Sequence, residues 1–310
     1  MTFLNDFTEY KAEGKCIAVL GKFDGVHKGH ASLFEYARNC RGDRRIIAFT
    51  FAVREDTKVL TDSNERLELL EKCDVDVVIE QQMYPEFSAM SPYDFLSEVL
   101  IKRFNTELIV CGENFGFGRN RSGNVDFIKE NADKLGYRVA VLPSLAYEGV
   151  NISSTVIRQK LSVGDIEAVN AMLGYRFKVS GTVVEGNRLG RKYNFPTANI
   201  YAPDAKLLPP NGVYATVVTI NKRSYYGVTN VGVKPSVSDR KKVNIETYIL
   251  GLDEYIYGEN IQVEFCRFFR PERKFDGVDD LFKQIATDTQ NIKEYFKENV
   301  LEGDGCATGA

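Results

Sequence analysis

The only two histidines of this 310-residue chain, His27 and His30, lie three residues apart in the block Gly21–His30. An apolar strand-like run, Cys16–Leu20, precedes the block and a helical pattern, Ala31–Asn39, follows it, which predicts a strand, a glycine-rich turn and a helix start. Helix N-termini attract anions, and two imidazoles on one helix face can donate hydrogen bonds to one phosphate group. We therefore interpret the block as a phosphate site. Two surface histidines or two metal ligands are the alternatives, although the sequence has no third histidine and no Cys-x-x-Cys pair.

Two further segments of the first half carry candidate ligand groups. Gly112–Gly118 contains three glycines in seven residues after a predicted strand, and Phe115 and Phe117 offer flat faces for a planar ring. Ile152–Arg158 opens a predicted helix, in which Arg158 adds a fixed positive fork suited to phosphate. The alternatives are a flexible surface loop for the first segment and ordinary helix-capping serines for the second.

The second half contains a different set of polar residues. The stretch Gly181–Arg191 predicts a loop over phosphates, although the Gly-Lys-Ser/Thr ending of a P-loop is missing. Thr197 and Asn199 follow it and supply hard oxygen ligands of the kind that Mg²⁺ prefers. Glu246 lies in a strand pattern with apolar alternate positions, where it is either an exposed strand residue or a general base for a substrate hydroxyl.

In the first half of the chain, predicted strands alternate with predicted helices, and these elements would position the histidine block and the two other candidate segments. Apolar β-rich runs are separated by amphipathic helical patterns, which predicts an α/β domain with a parallel sheet covered by helices on both faces. Ligands bind at the carboxyl ends of such strands, where the histidine block lies. The predicted strands are Cys16–Leu20, Ile46–Phe51, Val75–Ile79, Leu108–Cys111 and Arg138–Leu142, and the predicted helices are Ala31–Asn39, Ser63–Glu71, Pro92–Phe104 and Val125–Lys134.

The second half has strand patterns with no helices between them, which predicts an antiparallel sheet or a closed barrel. A helical segment, Ala168–Leu173, ends the first half, so we expect the domain boundary at Gly174–Phe177. One amphipathic helix, about Asp279–Glu298, closes the chain. The predicted strands are Phe177–Val184, Gly212–Ile220, Ser224–Val231, Val243–Leu250 and Ile261–Phe268.

The amino-acid composition indicates which kinds of molecule the protein binds. The 40 basic and 43 acidic residues give a net charge of −3, and no basic stripe favours nucleic acid. The chain shows no export signal and no apolar run of membrane-spanning length, and its six scattered cysteines are typical of reduced thiols. We therefore expect a cytoplasmic protein whose partners are small molecules rather than nucleic acid or membranes.

The histidine string Gly-x-Phe-Asp-Gly-x-His-x-Gly-His resembles the motif of the nucleotidyltransferase superfamily, which transfers a nucleotidyl group and releases pyrophosphate. Together with seven further blocks in order, it makes the chain resemble the bacterial bifunctional riboflavin kinase/FMN adenylyltransferases, or FAD synthetases, from about residue 15 to residue 298. These blocks are Gly112–Gly118, Ile152–Arg158, Phe195–Asn199, Pro210–Tyr214, Gly227–Gly232, Glu246–Thr247 and Arg270–Phe275.

The resemblance implies two domains. Residues 1–174 would form an α/β, Rossmann-like nucleotidyltransferase domain that adenylylates FMN with ATP. Residues 175–300 would form an antiparallel six-stranded β-barrel with a terminal helix, which phosphorylates riboflavin with ATP and Mg²⁺. The glycine-rich residues 301–310 are expected to form a disordered tail.

The resemblance also implies a role for individual residues. His27 and His30 would be catalytic donors to the ATP phosphates, within an ATP site that also contains Gly21, Phe23, Asp24, Gly25, Ser154, Thr155 and Arg158. The flavin of FMN would contact Asn114 and Phe115. In the kinase, Glu246 would accept the proton of the ribityl 5′-hydroxyl, and ATP would contact Gly181, Gly186, Arg191, Thr197 and Asn199, of which the last two would also bind Mg²⁺.

Three segments depart from the family pattern. Ala52–Glu55 stands where the family has a Pro-His-Pro element, Asn194 where it has glycine, and Pro235–Val237 where it has Pro-Thr-Phe. The first departure leaves open a riboflavin kinase whose adenylyltransferase domain is weak or degenerate. A non-catalytic flavin- or nucleotide-binding regulator is a further alternative, and Glu246 argues against it because binding alone needs no general base.

Overall fold

The computed structural model describes residues 1–53, 57–185, 195–233 and 243–299. The chain divides into two compact units, Met1–Val156 and Ile157–Ala310, and the division falls inside one helix. Several residues singled out by the sequence lie outside the described ranges: Arg54, Glu55, Gly186, Arg191, Asn194, Pro235–Val237 and the tail 301–310.

A six-stranded sheet forms the centre of the first unit. Its strands are β1 Thr2–Leu4, β2 Cys16–Leu20, β3 Arg45–Phe51, β4 Val77–Gln81, β5 Thr106–Gly112 and, beyond a short hairpin of β6 Gly116–Phe117 and β7 Gly123–Asn124, β8 Arg138–Leu142. All neighbours are parallel, in the order β1-β4-β3-β2-β5-β8. The order reverses between β2 and β5, and ligands bind at the carboxyl ends of strands at such a switch point. The predicted parallel α/β fold is confirmed.

Helices cover both faces of this sheet. Alternate residues of β2 enter opposite cores, since Ala18 packs with Leu96 and Phe104, whereas Val19 packs with Leu33 and Phe34 of the first helix. The helices are α1 Lys28–Asn39, α2 Ser63–Lys72, α3 Pro85–Ser88, α4 Pro92–Asp94, the π-helix Phe95–Arg103, α5 Val125–Glu130, α6 Ala132–Leu135 and α7 Ser154–Ser162, with a second hairpin, β9 Ala146–Tyr147 and β10 Val150–Asn151, before α7.

Two predicted helices of this unit differ from the structure, and one strand was not predicted. The polar N-terminal segment did not predict β1, which adds an edge strand. The predicted α-helix Pro92–Phe104 is mainly a π-helix, Phe95–Arg103, whose buried residues are Phe95, Leu96, Ser97, Val99 and Leu100. The predicted helix Val125–Lys134 is interrupted at Asn131, whose Nδ2 donates to the Phe127 carbonyl at 2.9 Å.

The second unit is a six-stranded antiparallel barrel. Its elements are α8 Ile166–Leu173, β11 Lys178–Thr182, β12 Thr197–Tyr201, β13 Gly212–Ile220, β14 Arg223–Val233, β15 Val243–Ile249, β16 Asn260–Pro271 and α9 Val278–Glu298. The strand order is β11-β16-β13-β14-β15-β12. The Val184 N–H, just after β11, donates to the Asn199 carbonyl of β12 at 2.8 Å and brings the two edges together. The six-stranded barrel is confirmed, and β12 is the strand that pattern alone did not predict.

Alternate residues of the barrel strands face opposite sides. On β13, Ala215 and Val217 face outward and pack against Ile292 and Phe296 of α9. The intervening Thr216 faces the barrel interior and is fully buried. Within the described ranges, no helix combines the length and apolarity needed to cross a membrane.

Three hydroxyl groups form a ladder inside the barrel. Thr229 Oγ1 lies 2.7 Å from Thr216 Oγ1 and 2.9 Å from Thr247 Oγ1, and all three side chains are buried. The ladder joins β13, β14 and β15, so it favours the observed alignment of these strands over a shifted one.

Replacing the middle hydroxyl should destabilise the barrel. Thr229→Val keeps the shape but leaves two buried hydroxyls without their shared partner, and we expect the free energy of unfolding to fall by about 1–3 kcal/mol. Thr219→Val is the matched control, because its hydroxyl meets Ser224 at 3.2 Å in a partly exposed position, and its effect should stay within about 0.5 kcal/mol. Urea denaturation measures both; equal effects would contradict a stabilising ladder.

Candidate active sites

The histidine block forms a strained turn between β2 and α1. Phe23, Gly25 and Val26 have φ angles of 49°, 85° and 33°, in the left-handed region that a β-branched residue such as Val26 rarely adopts. The Asp24 carboxylate holds the turn by accepting the N–H of Leu60 at 2.8 Å. Backbone strain of this kind persists where surrounding contacts fix it, and it clusters at functional sites.

The two imidazole rings at this turn are stacked, with centroids 3.7 Å apart and planes 17° from parallel. His27 is the N-cap of α1, and its Nδ1 accepts the backbone N–H of His30 at 3.3 Å. Gly29 leaves room for the His27 ring, because a Cβ at this position would lie 3.2 Å from it. The fully buried Phe23 ring meets the His30 ring edge-on at 5.3 Å. The structure thus brings both rings to one place and fixes their orientation.

Both histidines are neutral near pH 7. Burial lowers the pKa of His27 to about 4, against a smaller opposite effect of the Asp24 carboxylate. Burial, followed by the proximity of His27, holds the pKa of His30 well below its usual value. Because His27 Nδ1 accepts a hydrogen bond, its proton lies on Nε2, where it can donate to an anion. His30 Nδ1 is buried without a partner among the described residues, which is rare in a core that serves stability alone.

The glycine-rich segment after β5 lies on the other side of the switch point. Asn114 is exposed and its Nδ2 lies 3.5 Å from Ser144 Oγ, while Phe115 is partly exposed and stacks on Phe117 at 5.7 Å. The prediction that Phe117 offers a face to a ligand is wrong. Its ring is 3% exposed and packs against Phe95 at 5.4 Å, because the hairpin strand β6 turns it into the core. Phe115 therefore remains the aromatic candidate of this loop.

Most of the remaining residues predicted for the first site surround the histidine turn. The Gly21 N–H donates to a carbonyl of β3 at 3.2 Å. Ser154 Oγ donates to the Asp24 carbonyl at 2.8 Å, so the start of α7 is tied to the same turn. Thr155 is exposed at this helix start, and Arg158 follows one helical turn after Ser154.

On the outer face of the barrel, β12 and β15 bring together candidates that lie far apart in sequence. The register pairs Asn199 with Glu246, and Thr197 Oγ1 donates to Glu246 Oε1 at 2.6 Å. Asn199 is 2% exposed, and its Oδ1 accepts a hydrogen bond from Asn244 Nδ2 at 3.0 Å. Sequence reasoning missed Asn244, although its place two residues before Glu246 puts both side chains on one face of the strand.

The donor set of this second site fits Mg²⁺. Its groups are hydroxyl, amide and carboxylate oxygens, and Mg²⁺ bound together with nucleotide phosphates needs only one or two protein ligands. Over the described ranges, no group of three His, Cys, Asp or Glu side chains could hold a metal ion. Gly181 lies within β11 rather than in the predicted loop, and Gly186 and Arg191 lie outside the described ranges.

Comparisons with known proteins match both halves of the chain. The model of the FAD synthetase family matches residues 9–156, and that of the riboflavin kinase family matches residues 173–296. The bifunctional riboflavin kinase/FMN adenylyltransferase of Listeria monocytogenes is 32% identical over 291 residues, which cover 90% of this chain and 92% of that protein. The protein of the same name from Escherichia coli K12 is 31% identical over 305 residues, covering 94% and 96%.

The same fold occurs in a solved structure. A crystal structure of a Streptococcus pneumoniae protein, named a macrolide-efflux protein, matches with a TM-score of 0.85 and 28% sequence identity. The match covers 94% of this chain and 98% of that one.

The buried histidines should make the first unit less stable in acid. His27 has a folded-state pKa of about 4 against 6.5 when exposed, so the unfolded chain binds more protons between these values and stability falls as the pH drops through them. We expect His27 alone to lower the free energy of unfolding by about 2 kcal/mol between pH 7 and pH 5, where few carboxyl groups titrate. Denaturant titrations at both pH values measure the change.

The control for this prediction is the double variant His27→Gln, His30→Gln, which has no imidazole to protonate. Its free energy of unfolding should change less between pH 7 and pH 5 than that of the parent chain. An equal change in both proteins would mean that the histidines do not cause the acid sensitivity.

Proposed function

This chain belongs to the bifunctional riboflavin kinase/FMN adenylyltransferase family, and on that premise we propose how its residues divide the two reactions. It phosphorylates riboflavin to FMN with ATP, and it adenylylates FMN to FAD with release of pyrophosphate. We assign the second reaction to residues 1–174 and the first to residues 175–300. Separate matches of the two family models to the two halves support this division.

In the adenylyltransferase domain, His27 and His30 act as neutral hydrogen-bond donors to ATP. The observation that carries this proposal is the stacked imidazole pair at the N-terminus of α1, beside the sheet's switch point. A phosphate oxygen of FMN attacks the α-phosphorus of ATP, and pyrophosphate leaves with the electrons of the broken P–O bond. Imidazole N–H groups and the helix N-terminus stabilise the negative charge that grows on these oxygens.

The residues around the histidines form the frame of this ATP site. The strained turn with its tie to α7 supports the assignment of ATP binding to Gly21, Phe23, Asp24, Gly25, Ser154, Thr155 and Arg158. Asn114 and Phe115 bind the flavin, and the partly exposed Phe115 ring supplies a flat face for stacking. Both loops follow strands that flank the switch point, which supports one shared site.

In the kinase domain, Glu246 acts as general base. The observation that carries this proposal is the hydrogen bond from Thr197 to Glu246, which orients the carboxylate on the face that also carries Asn199. Glu246 accepts the proton of the riboflavin 5′-hydroxyl while its oxygen attacks the γ-phosphorus of ATP and ADP leaves.

The oxygens of Thr197 and Asn199 would hold Mg²⁺, which neutralises charge on the ATP phosphates when bound. Thr197 can keep its bond to Glu246 in this role, because a hydroxyl donates with its proton while its lone pairs face a cation. Gly181 contributes to ATP binding together with Gly186 and Arg191, which lie outside the described ranges.

Both activities operate in one cytoplasmic chain under this proposal. The alternative of a degenerate adenylyltransferase domain relied on Ala52–Glu55, and it is not favoured by the family match over residues 9–156. The alternative of a non-catalytic regulator is not favoured either. The relatives from Listeria monocytogenes and Escherichia coli are named as enzymes, and the match covers 92% and 96% of their length.

Removing one imidazole should impair one reaction and spare the other. His30→Ala should reduce FAD formation from FMN by about 10²–10³-fold, the usual loss for one transition-state donor, and leave FMN formation from riboflavin unchanged. His30→Gln keeps an amide donor and should recover part of the loss. Chromatographic separation of riboflavin, FMN and FAD after incubation with ATP and Mg²⁺ measures both reactions; equal loss of both would contradict the domain assignment.

Neutralising the proposed base should have the opposite selectivity. Glu246→Gln cannot accept a proton, so riboflavin phosphorylation should fall by about 10²–10⁴-fold while adenylylation of supplied FMN continues at the parent rate. Glu264→Gln is the matched control, because it makes the same change on β16, which two strands separate from β15. The Glu264 carboxylate lies 3.6 Å from Arg176, away from the proposed kinase site, so this variant should phosphorylate riboflavin at the parent rate. Phosphorylation at the parent rate by Glu246→Gln would show that Glu246 is not the base.

A further inference from the structure

Side-chain contacts across the β12–β15 pair follow a repeated diagonal. Thr197 pairs with Tyr248 in the register and donates to Glu246, two positions earlier on β15. Asn199 pairs with Glu246 and accepts from Asn244, again two positions earlier. The first diagonal joins two residues of the proposed kinase site, so the second connects Asn244 to the same site by equivalent geometry.

Fold stability does not account for an asparagine at position 244. Asn244 is 3% exposed near the start of β15, where it is paired with β12 on one side and β14 on the other, and asparagine is disfavoured in strands relative to β-branched residues. Its Oδ1 is buried and finds no hydrogen-bond partner among the described residues, which lowers stability relative to an apolar side chain of the same size. Among the described residues, the side-chain hydrogen bond that Asn244 does make runs from its Nδ2 to Asn199, and we attribute its contribution to this bond.

That bond controls which end of the Asn199 carboxamide serves as a ligand. The terminal torsion of asparagine is broad and roughly two-fold, so the oxygen and the NH₂ group can exchange places at small intrinsic cost. An exchange would turn two positively polarised hydrogens toward a cation. The Asn244 N–H fixes the position of Asn199 Oδ1, and a carboxamide oxygen carries two lone pairs, so it can accept this hydrogen bond and also serve as a metal ligand.

We propose that Asn244 is a positioning residue of the kinase site, which holds the Asn199 carboxamide with its oxygen available to the Mg²⁺ that accompanies ATP. The inference rests on the proposed cation role of Asn199. Groups that orient metal ligands from behind typically change metal affinity by about 10–100-fold when they are removed. Asn244 contacts a ligand and not the reacting atoms, so its loss should raise the Mg²⁺ requirement more than it changes the rate at saturating Mg²⁺.

The test is the variant Asn244→Leu, which keeps the side-chain volume but removes both the donor and the unpaired oxygen. We expect the free Mg²⁺ concentration for half-maximal riboflavin phosphorylation to rise at least about 10-fold. The unfolding midpoint of the barrel, measured by calorimetry without metal or nucleotide, should stay the same or rise. Asn244→Ala, which cannot clash with its neighbours, repeats the titration if leucine prevents folding.

The structural control is Asn170→Leu. Asn170 Nδ2 donates to the Phe265 carbonyl and its Oδ1 accepts the Phe177 N–H, both at 2.8 Å, so this asparagine is fully engaged in holding the fold. Its replacement should lower the unfolding midpoint and leave the Mg²⁺ requirement unchanged. The same pair of changes in Asn244→Leu would show a structural role and overturn the proposal.

Two further variants separate this inference from the proposed function. Asn199→Ala should raise the Mg²⁺ requirement, and the double variant Asn199→Ala, Asn244→Leu should require no more Mg²⁺ than Asn199→Ala alone, because Asn244 acts through Asn199. An unchanged requirement in Asn199→Ala would refute the cation role of Asn199 itself. Two results would refute only the role of Asn244, provided that Asn199→Ala raises the Mg²⁺ requirement as expected. The first is an unchanged Mg²⁺ requirement in Asn244→Leu. The second is a double variant whose Mg²⁺ requirement rises by the product of the two single-variant increases.

Discussion

The pairing register of β12 with β15 places Asn199 opposite Glu246 and brings the oxygen-bearing side chains of the kinase face within hydrogen-bonding distance. A slip of β15 by one residue against both β12 and β14 would turn Glu246 into the barrel and Thr247 outward, because successive strand residues face opposite sides. The Thr216–Thr229–Thr247 ladder disfavours such a slip from within, since it would separate hydroxyls that pair in a dry interior. The buried threonine ladder and the outer face with Thr197, Asn199 and Glu246 therefore both depend on the register of β15.

The first unit positions its groups by sheet topology instead of side-chain register. Strand order reverses between β2 and β5, so the loops that follow these strands diverge and leave room at the carboxyl edge of the sheet. The histidine turn occupies one side of that space and the Asn114–Phe115 loop follows the other strand. Burial keeps both imidazoles uncharged, so their hydrogen bonds act in a low-dielectric environment where a fixed donor is more effective than in water.

Sequence periodicity predicted most of this architecture, because buried parallel strands and alternating barrel strands leave distinct patterns. Cys16–Leu20, Arg138–Leu142 and Gly212–Ile220 have the bounds that the pattern indicated. The pattern failed where the signal depends on a distant partner. The short strand β1 is stabilised by its pairing with β4, which lies more than seventy residues further along the chain, and the local apolar pattern does not distinguish the π-helix Phe95–Arg103 from an α-helix.

The site residues were also predictable only where the residue type itself is distinctive. The motifs identified His27, His30, Thr197 and Glu246 because their residue types are chemically distinctive. The different environments of Phe115 and Phe117 could not be read from sequence, since two aromatic residues in one glycine-rich loop look equivalent until the hairpin buries one of them. The contact between Asn244 and Asn199 required the strand register, which connects residues 45 positions apart.

Because successive strand residues face opposite sides, β12 and β15 separate their tasks by residue parity. Odd positions of β12 and even positions of β15 carry the groups of the proposed kinase site, and the intervening positions carry Ala198, Ile200, Ile245, Thr247 and Ile249. Core residues of these strands can therefore change in size and shape to suit a different growth temperature while the catalytic surface stays as it is. This arrangement allows the thermal stability of the barrel and its chemistry to evolve along largely independent routes.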